Sequence, residues 1–389
     1  MPTLPPRESH GQSSQKKVAV LGVGRVGAAI AIDLARTYQV AALDPNAQSL
    51  KPLQGYGVEP HIGSAADGAV LKSFIENSDL VINAVPGKIG FGVLERVIAN
   101  GKNVVDISFY PEDPFLLHAL ASKRDVTAVV DCGVAPGLSN MFLGYHHARM
   151  QVENFSCYVG GLPRTRTWPY QYKAPFSPSD VIEEYVRPAR LVEGGAVVVK
   201  PALSEIERID FGGIGTLEAF NTDGLRTLLT TMKVPDMKEK TLRYPGHGEC
   251  MRILRDSGFF GTEPIRLAAG NSVTPLEMTS RILFPLWQLA QGEKEFTVMR
   301  VVISGVKKNV PVTYTYTLYD EYNEKTKTTS MARTTGYTCT AVAHLMLKGK
   351  ILETGILAPE QISRDKKTFG DIIGYLLGKG ISIKFEQAP

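Results

Sequence analysis

The stretch VAVLGVGRVG, Val18 to Gly27, narrows the possible folds more than any other part of this sequence. An apolar strand runs directly into three glycines with the spacing G-x-G-x-x-G, and a helix-forming segment follows at once. In that setting Gly22 allows a tight turn, Gly24 lets backbone approach a pyrophosphate, and Gly27 lets helix and strand pack closely. Arg25 and Val26 then sit in the first helical turn, whose free N–H groups and dipole face the phosphates. The motif alone is weak; its position between strand and helix gives it meaning. Asp44 ends the next apolar run, QVAALD, where a carboxylate binds a ribose 2′-hydroxyl. No arginine follows it directly, and the carboxylate repels a 2′-phosphate, so NAD is the expected cofactor rather than NADP.

The alternation continues from Lys16 to Cys132. Apolar strands at SDLVINAVP, KNVVDIS and DVTAVVDC, counted as the fourth, fifth and sixth, are separated by amphipathic helices. Strand and helix taken in turn imply a parallel sheet wound on both faces, with ligands beyond the carboxyl ends of its strands. Ala84, Val85 and Pro86 of NAVPG lie at such an end, low enough for a nicotinamide ribose to pass. Asp106 and Ser108 of VVDIS lie at another. Asp106 is placed to bind a substrate amine or orient water, or simply to cap a helix. Asp131 and Cys132 end the sixth strand on the same edge. Cys132 is read either as a catalytic group or as a small buried filler. GVAPGLSN then leaves the sheet, with Ser139 or Asn140 capping the next helix.

After Ser139 the texture changes to strand-like runs, among them ENFSCYVGGL, EFTVMRVVISGV and VPVTYTYTLYDEY. In the last, Val312, Tyr314, Tyr316 and Leu318 fall on one face at period two. The expected architecture is α/β: a Rossmann-type doubly wound parallel sheet plus a second α+β domain with a largely antiparallel sheet. The expected boundaries are a disordered polar tail over 1–15, a cofactor-binding domain over 16–132, and a substrate-binding and dimerisation domain over 133–330. A helical segment over 331–389 closes the chain.

The second domain carries its own polar clusters. TWPYQYKAPFSPSD brings Lys173 and Ser177 among aromatics. FNTDGLRTLL places Asn221, Thr222 and Asp223 at an expected helix start suited to an anion. KTLRYPGHGE presents Arg243, Tyr244 and His247 in an expected Gly/Pro loop, with Arg243 suited to clamp a carboxylate. His247 is either an active-site group or loop surface. The doublet His146–His147 reads as a packed or solvated helix face.

The 389 residues are 43% hydrophobic and 21% charged with net charge +4, and the basic residues are scattered, which argues against nucleic-acid and membrane-surface binding. No apolar run is long enough to span a bilayer, and the N-terminal stretch has no h-region. Four separated cysteines point away from disulfides and zinc and towards a reducing cytoplasm. No metal is expected, and HExxH, P-loop and GxSxG motifs are absent from the sequence.

The chain resembles the saccharopine dehydrogenase family, and within it the lysine 6-dehydrogenases. The motifs that carry the resemblance are GVGRVG, NAVPG, VVDIS, DCGVAPGLSN, YVGGLP, FNTDGLRTLL, KTLRYPGH and RTTGYT, in that order from about Val18 to Tyr337. The resemblance implies oxidation of an amine with NAD, a small-molecule amino-acid substrate, a homodimer or higher homo-oligomer, and a C-terminal segment over 331–389 that returns to the first domain. For lysine it implies loss of hydride from Cε, hydrolysis of the imine, and release of ammonia and 2-aminoadipate 6-semialdehyde. Asp106 and His247 then become the expected groups for amine binding and proton transfer, with Arg243 and Asn221–Asp223 holding the α-carboxylate and α-amine. A saccharopine or carboxynorspermidine dehydrogenase is the alternative, with Arg164, Arg166 and Lys173 meeting a further carboxylate. A non-catalytic NAD-binding regulatory protein is the alternative of another class.

Overall fold

A computed structural model describes residues 15–268, 270–290 and 292–389; of the tail expected over 1–15, all but Gln15 lies outside the described residues. Six parallel strands open the chain: β1 (Lys17–Leu21), β2 (Gln39–Asp44), β3 (Val58–Ile62), β4 (Leu80–Asn83), β5 (Val104–Asp106) and β6 (Thr127–Val129). Helices α1 (Arg25–Leu34), α2 (Ala47–Leu50), α3 (Gly68–Ile75), α4 (Gly87–Ala99) and α5 (His118–Lys123) connect them. β4, β5 and β6 are buried along their whole length, as strands covered on both faces must be. The sequence reading counts a third strand without locating it; β3 is the mostly exposed VEPHI, which lacks an apolar run.

The second half contains α6 (Leu138–His147), β7 (Gln151–Pro163), α7 (Pro178–Val186), β8 (Ala189–Glu193), β9 (Ala196–Lys200), β10 (Glu207–Phe211), β11 (Gly215–Asn221), α8 (Leu228–Thr231) and β12 (Asp236–Arg243). Then come α9 (His247–Asp256), a short hairpin of β13 (Ile265–Arg266) and β14 (Ser272–Val273), α10 (Pro275–Trp287), β15 (Glu295–Lys307) and β16 (Val310–Glu321). The chain closes with α11 (Ser330–Leu347), β17 (Gly355–Leu357), α12 (Pro359–Ile362), α13 (Lys366–Gly378) and β18 (Ser382–Ala388).

The parallel sheet has the order β17-β6-β5-β4-β1-β2-β3, so the crossover direction reverses between β4 and β1. That switch leaves a crevice above the strand ends, where doubly wound sheets bind ligands. β17 joins this sheet from beyond residue 350, pairing Leu357 with Val129. The second sheet has nine strands and is antiparallel except where β12 runs beside β7. Val312, Tyr314, Tyr316 and Leu318 are all buried, as their alternation demands. α11 ties the two halves together. Its Gly336 approaches α1 so closely that a Cβ there would meet Ile30 Cγ1 at 3.2 Å.

Two local expectations fail for reasons visible in the structure, and a third holds in part. Asn221 ends β11, and the nearest helix, α8, begins seven residues later at Leu228, so Asn221–Asp223 form no helix start. Arg243 ends β12 rather than lying in a loop, and His247 opens α9. Of the two residues expected to cap α6, Asn140 does so from the third helical position, its Oδ1 accepting from the N–H of the N-cap residue Gly137 at 3.3 Å.

Candidate active site

One cavity of about 460 Å3 runs from the glycine turn across the crevice to the inner face of the second sheet. At its first end the backbone makes the site. Gly22 adopts φ of +86°, and a Cβ on it would lie 2.5 Å from Ala84 O. A Cβ on Gly27 would lie 2.0 Å from Gly22 O. Gly24 is different: nothing lies within 4 Å of its would-be Cβ. The turn is therefore held by two glycines and left open at the third, facing the cavity above the N-terminus of α1. Asp44 accepts from Val23 N at 2.7 Å and Asn46 N at 2.8 Å, which fixes the carboxylate at the end of β2 beside the turn. Such a cradle fits a dinucleotide. Gly22, Gly24, Arg25, Val26, Gly27 and Asp44 all line the cavity, as do Ala84, Val85, Pro86 and Ser108.

At the second end side chains make the site. β12 puts Glu239, Thr241 and Arg243 on its cavity face by simple alternation. α7 presents Asp180, Glu183, Glu184 and Arg187 at the spacing of one helical face. Asp131, with φ of +50°, and Asp223 complete the wall. Several of these charges are already neutralised. Arg226 donates to both oxygens of Asp131 at 2.8 and 3.0 Å, deep in the protein. Arg190 chelates Asp223 at 2.8 Å on each oxygen, and Arg243 binds Glu184 at 2.8 Å. Glu239 has no such partner: no group among the described residues hydrogen-bonds to its carboxyl. Burial, reinforced by Glu184, Asp223 and Asp131, raises it to about 8. Burial likewise raises Asp180 to about 6. No group of three or more His, Cys, Asp or Glu among the described residues is arranged to hold a metal ion.

Other sequence candidates stand away from the cavity. Asp106 is completely buried beneath its floor, accepting from Ser108 N at 2.7 Å and Asn83 Nδ2 at 3.2 Å. Burial raises it to about 7. Cys132 is enclosed by core residues, and burial pushes its thiol far up, away from a reactive thiolate. His247 is buried between Tyr185 OH at 2.8 Å and the Tyr170 carbonyl at 2.9 Å, and burial lowers it to about 3. It is a neutral packing group in an aromatic cluster with Tyr172 and Trp287. Asn221 binds Ser204 and Glu205, Tyr244 donates to Pro163 O, and Lys173 reaches Gln288 O. None of these six lines the cavity. Thr222 and Asp223 do, with Thr222 bonded to Thr241 at 3.0 Å. Arg243 also lines it, but its three nitrogens are spent on Tyr185, Leu242 O and Glu184, so it does not stand free as a clamp. Arg164 pairs with Glu321 on the exposed side and Arg166 bonds Gln171, both outside the cavity.

The residues missed were Glu239, Glu184, Asp180, Arg187 and Arg226. For Glu239 the signal was its place at period two with Thr241 and Arg243 in DMKEKTLR, and for Asp180, Glu184 and Arg187 the i, i+3, i+4, i+7 spacing of charges in DVIEEYVR; Arg226, in FNTDGLRTLL, had no local signal.

Comparison with known proteins agrees with this division. The saccharopine dehydrogenase NADP binding domain matches residues 18–129, and the saccharopine dehydrogenase C-terminal domain matches residues 133–381. The saccharopine dehydrogenase (NADP(+), L-glutamate-forming) of Schizosaccharomyces pombe is 23% identical over 395 residues, covering 82% of this chain and 86% of that one. The alpha-aminoadipic semialdehyde synthase of Arabidopsis thaliana is 25% identical over 240 residues, or 56% of this chain, but the match spans only 22% of that longer protein. The apo saccharopine dehydrogenase (L-Glu forming) from Saccharomyces cerevisiae superposes with a TM-score of 0.77 at 20% identity, covering 96% of this chain and 100% of that one; this shows a shared fold.

Proposed function

The chain belongs to the saccharopine dehydrogenase family, and on that premise we propose that it is an NAD-dependent amine dehydrogenase acting on the ε-amino group of L-lysine. The observation that carries the reading is the single cavity joining a dinucleotide cradle to a wall richer in carboxylates than in free cations. Lysine brings two ammonium groups and one carboxylate, which suits such a wall. A tricarboxylate substrate suits it less.

The Gly24 turn and the first N–H groups of α1 would hold a pyrophosphate, Asp44 an adenosine ribose, and Ala84–Pro86 the nicotinamide ribose. When bound, the cofactor supplies a hydride acceptor. Asp44 favours NAD, because a 2′-phosphate placed there meets a carboxylate. The overall reaction balances as R–CH2–NH3+ plus NAD+ plus water giving R–CHO, NH4+, NADH and one proton. The product, 2-aminoadipate 6-semialdehyde, cyclises to piperideine-6-carboxylate. The protein's tasks are to hold the amine against its carboxylates, remove one proton and exclude bulk water until hydride has left.

A second reading draws on two other atoms. Arg187 Nη1 and Arg226 Nη2 are buried without a hydrogen-bond partner, and both guanidinium groups lie 5.0 Å from the Phe109 ring centre. Two waiting donors suit an additional carboxylate, as in a secondary amine of the saccharopine type. An amine panel with NAD and NADP, read by absorbance of the reduced cofactor, tests both. NADH formed with lysine supports the first reading, and reduction with saccharopine alone replaces it by the second. NAD binding without reduction by any amine supports a regulatory protein instead.

A further inference from the structure

We infer that Glu239 is the catalytic base that takes the proton from the substrate ammonium before hydride leaves. This rests on the amine dehydrogenase reading and adds to it the residue that does the proton transfer. Of the candidate bases, Asp106 lies under the floor with both oxygens engaged, and His247 faces an aromatic cluster. Glu239 lines the cavity while only 5% of its surface is exposed. Its position is built for. Gly224 crosses directly beneath it, so close that a Cβ there would fall 1.9 Å from the carboxyl carbon and from Oε1. Only glycine leaves the carboxyl room to lie against the chain and face the cavity.

The charges around Glu239 explain why it stays ready. Burial first, and then Glu184 on α7, Asp223 after β11 and Asp131 after β6, raise its affinity for a proton, while Arg226 opposes them. Cys157, its neighbour in register on β7, is buried and neutral. Arg190, Arg226 and Arg243 occupy Asp223, Asp131 and Glu184 of this wall, and Arg187 pairs with Glu183. Of the two acids without an arginine partner, Asp180 is engaged by Ser177 and the Gly87 N–H, so Glu239 is the one that meets the amine. The step transfers one proton from R–CH2–NH3+ to the Glu239 carboxylate. The neutral amine's lone pair then forms the C=N bond as hydride passes from the carbon to NAD+, leaving an iminium, NADH and protonated Glu239. Water hydrolyses the iminium, and Glu239 returns its proton to solvent.

The test compares wild type, Glu239→Gln and Gly224→Ala for lysine oxidation across pH, alongside NADH binding and thermal unfolding without cofactor. Wild-type kcat/KM should rise through about pH 8 and fall again as the free amine loses its proton near its usual value of about 10.4. Glu239→Gln should lose about 10²- to 10⁴-fold in kcat near neutrality and still bind NADH normally. Its rising limb should move up towards the ionisation of the amine itself, which a merely structural role would not produce. Gly224→Ala, by displacing the same carboxyl, should reproduce the shift even if the first variant folds poorly.

A readout independent of turnover is the melting temperature. A buried carboxyl raised from its unfolded value destabilises the fold once ionised, so Glu239→Gln should gain on wild type as pH rises from about 5 to 9. Wild-type turnover in Glu239→Gln, an unmoved pH limb, or a pH-independent stability difference would each overturn the assignment. If wild type reduces no cofactor with any amine, the functional reading falls first and takes the assignment with it. If wild type is active and the variant equals it, only Glu239 falls.

Discussion

The two ends of the cavity are made of different materials. The cofactor end is backbone: three glycines, the first turn of α1 and one carboxylate pinned by two N–H groups. The other end, where we place the substrate, is ionisable side chains drawn from β12, α7 and two loops far apart in sequence, most already paired by arginine. Backbone sites tolerate little change in shape but ask nothing of distant residues. Ionic walls tolerate reshaping, yet each charge depends on a partner tens of residues away.

The largest effect should come from breaking the ionic end. Replacing Arg226 by Met strips Asp131 of its partner inside the protein, and leaving one buried charge uncompensated costs about 3–5 kcal/mol. Urea unfolding of the variant measures it, and a loss below about 1 kcal/mol would mean that Asp131 finds water or takes up a proton. At the backbone end, Gly24 and Gly27 offer a paired comparison. Gly27→Ala drives a methyl into Gly22 O and should lower stability and cofactor affinity together. Gly24→Ala meets nothing in the protein, so it should alter stability by no more than about 0.5 kcal/mol while weakening NADH binding at least tenfold. Titration of NADH fluorescence beside thermal melts separates the two.

A smaller effect belongs to Asp44. Asp44→Ala should narrow the preference for NAD over NADP by about 1–2 kcal/mol in relative kcat/KM, the scale of one charge-assisted hydrogen bond. The smallest concerns His247. Its folded value of about 3 lies below the unfolded one, so the unfolded chain binds the extra proton and stability falls as pH drops below about 6.5. His247→Gln should remove that part of the acid sensitivity and leave the catalytic pH limb near 8 in place. A limb that moved with His247 would return proton transfer to the histidine.

Legibility in the sequence followed the same division. The Rossmann half was readable because its cues are local: glycine spacing, apolar strands and an acid at the end of β2. β12 was misread because DMKEKTLR is polar in sequence yet mostly buried, contrary to what its composition suggests. Its Lys240 is buried against Glu207 on one side and its Glu239 faces the cavity on the other. Polar residues buried in a strand are themselves a mark of a site, since desolvation is tolerated only where partners or function justify it. α7 was not recognised, although DVIEEYVR spaces its charges on one helical face.

The bend VVDCGVAPGLSNMF shows both sides of the matter. Gly133, Val134, Ala135 and Pro136 line the cavity, and Asn140 secures the start of α6. Its two chemically suggestive residues part company: Cys132 turns into the core, and Asp131 turns to Arg226. By itself the sequence determined the parallel sheet, the dinucleotide turn, the acid at the end of β2 and the family, because each is read from short local patterns or from their order along the chain. Only the tertiary structure decided which carboxylates are paired, which one stands unpaired over Gly224, and which histidine is sealed away. Those outcomes depend on burial and on charges brought together from remote strands, which no local pattern encodes.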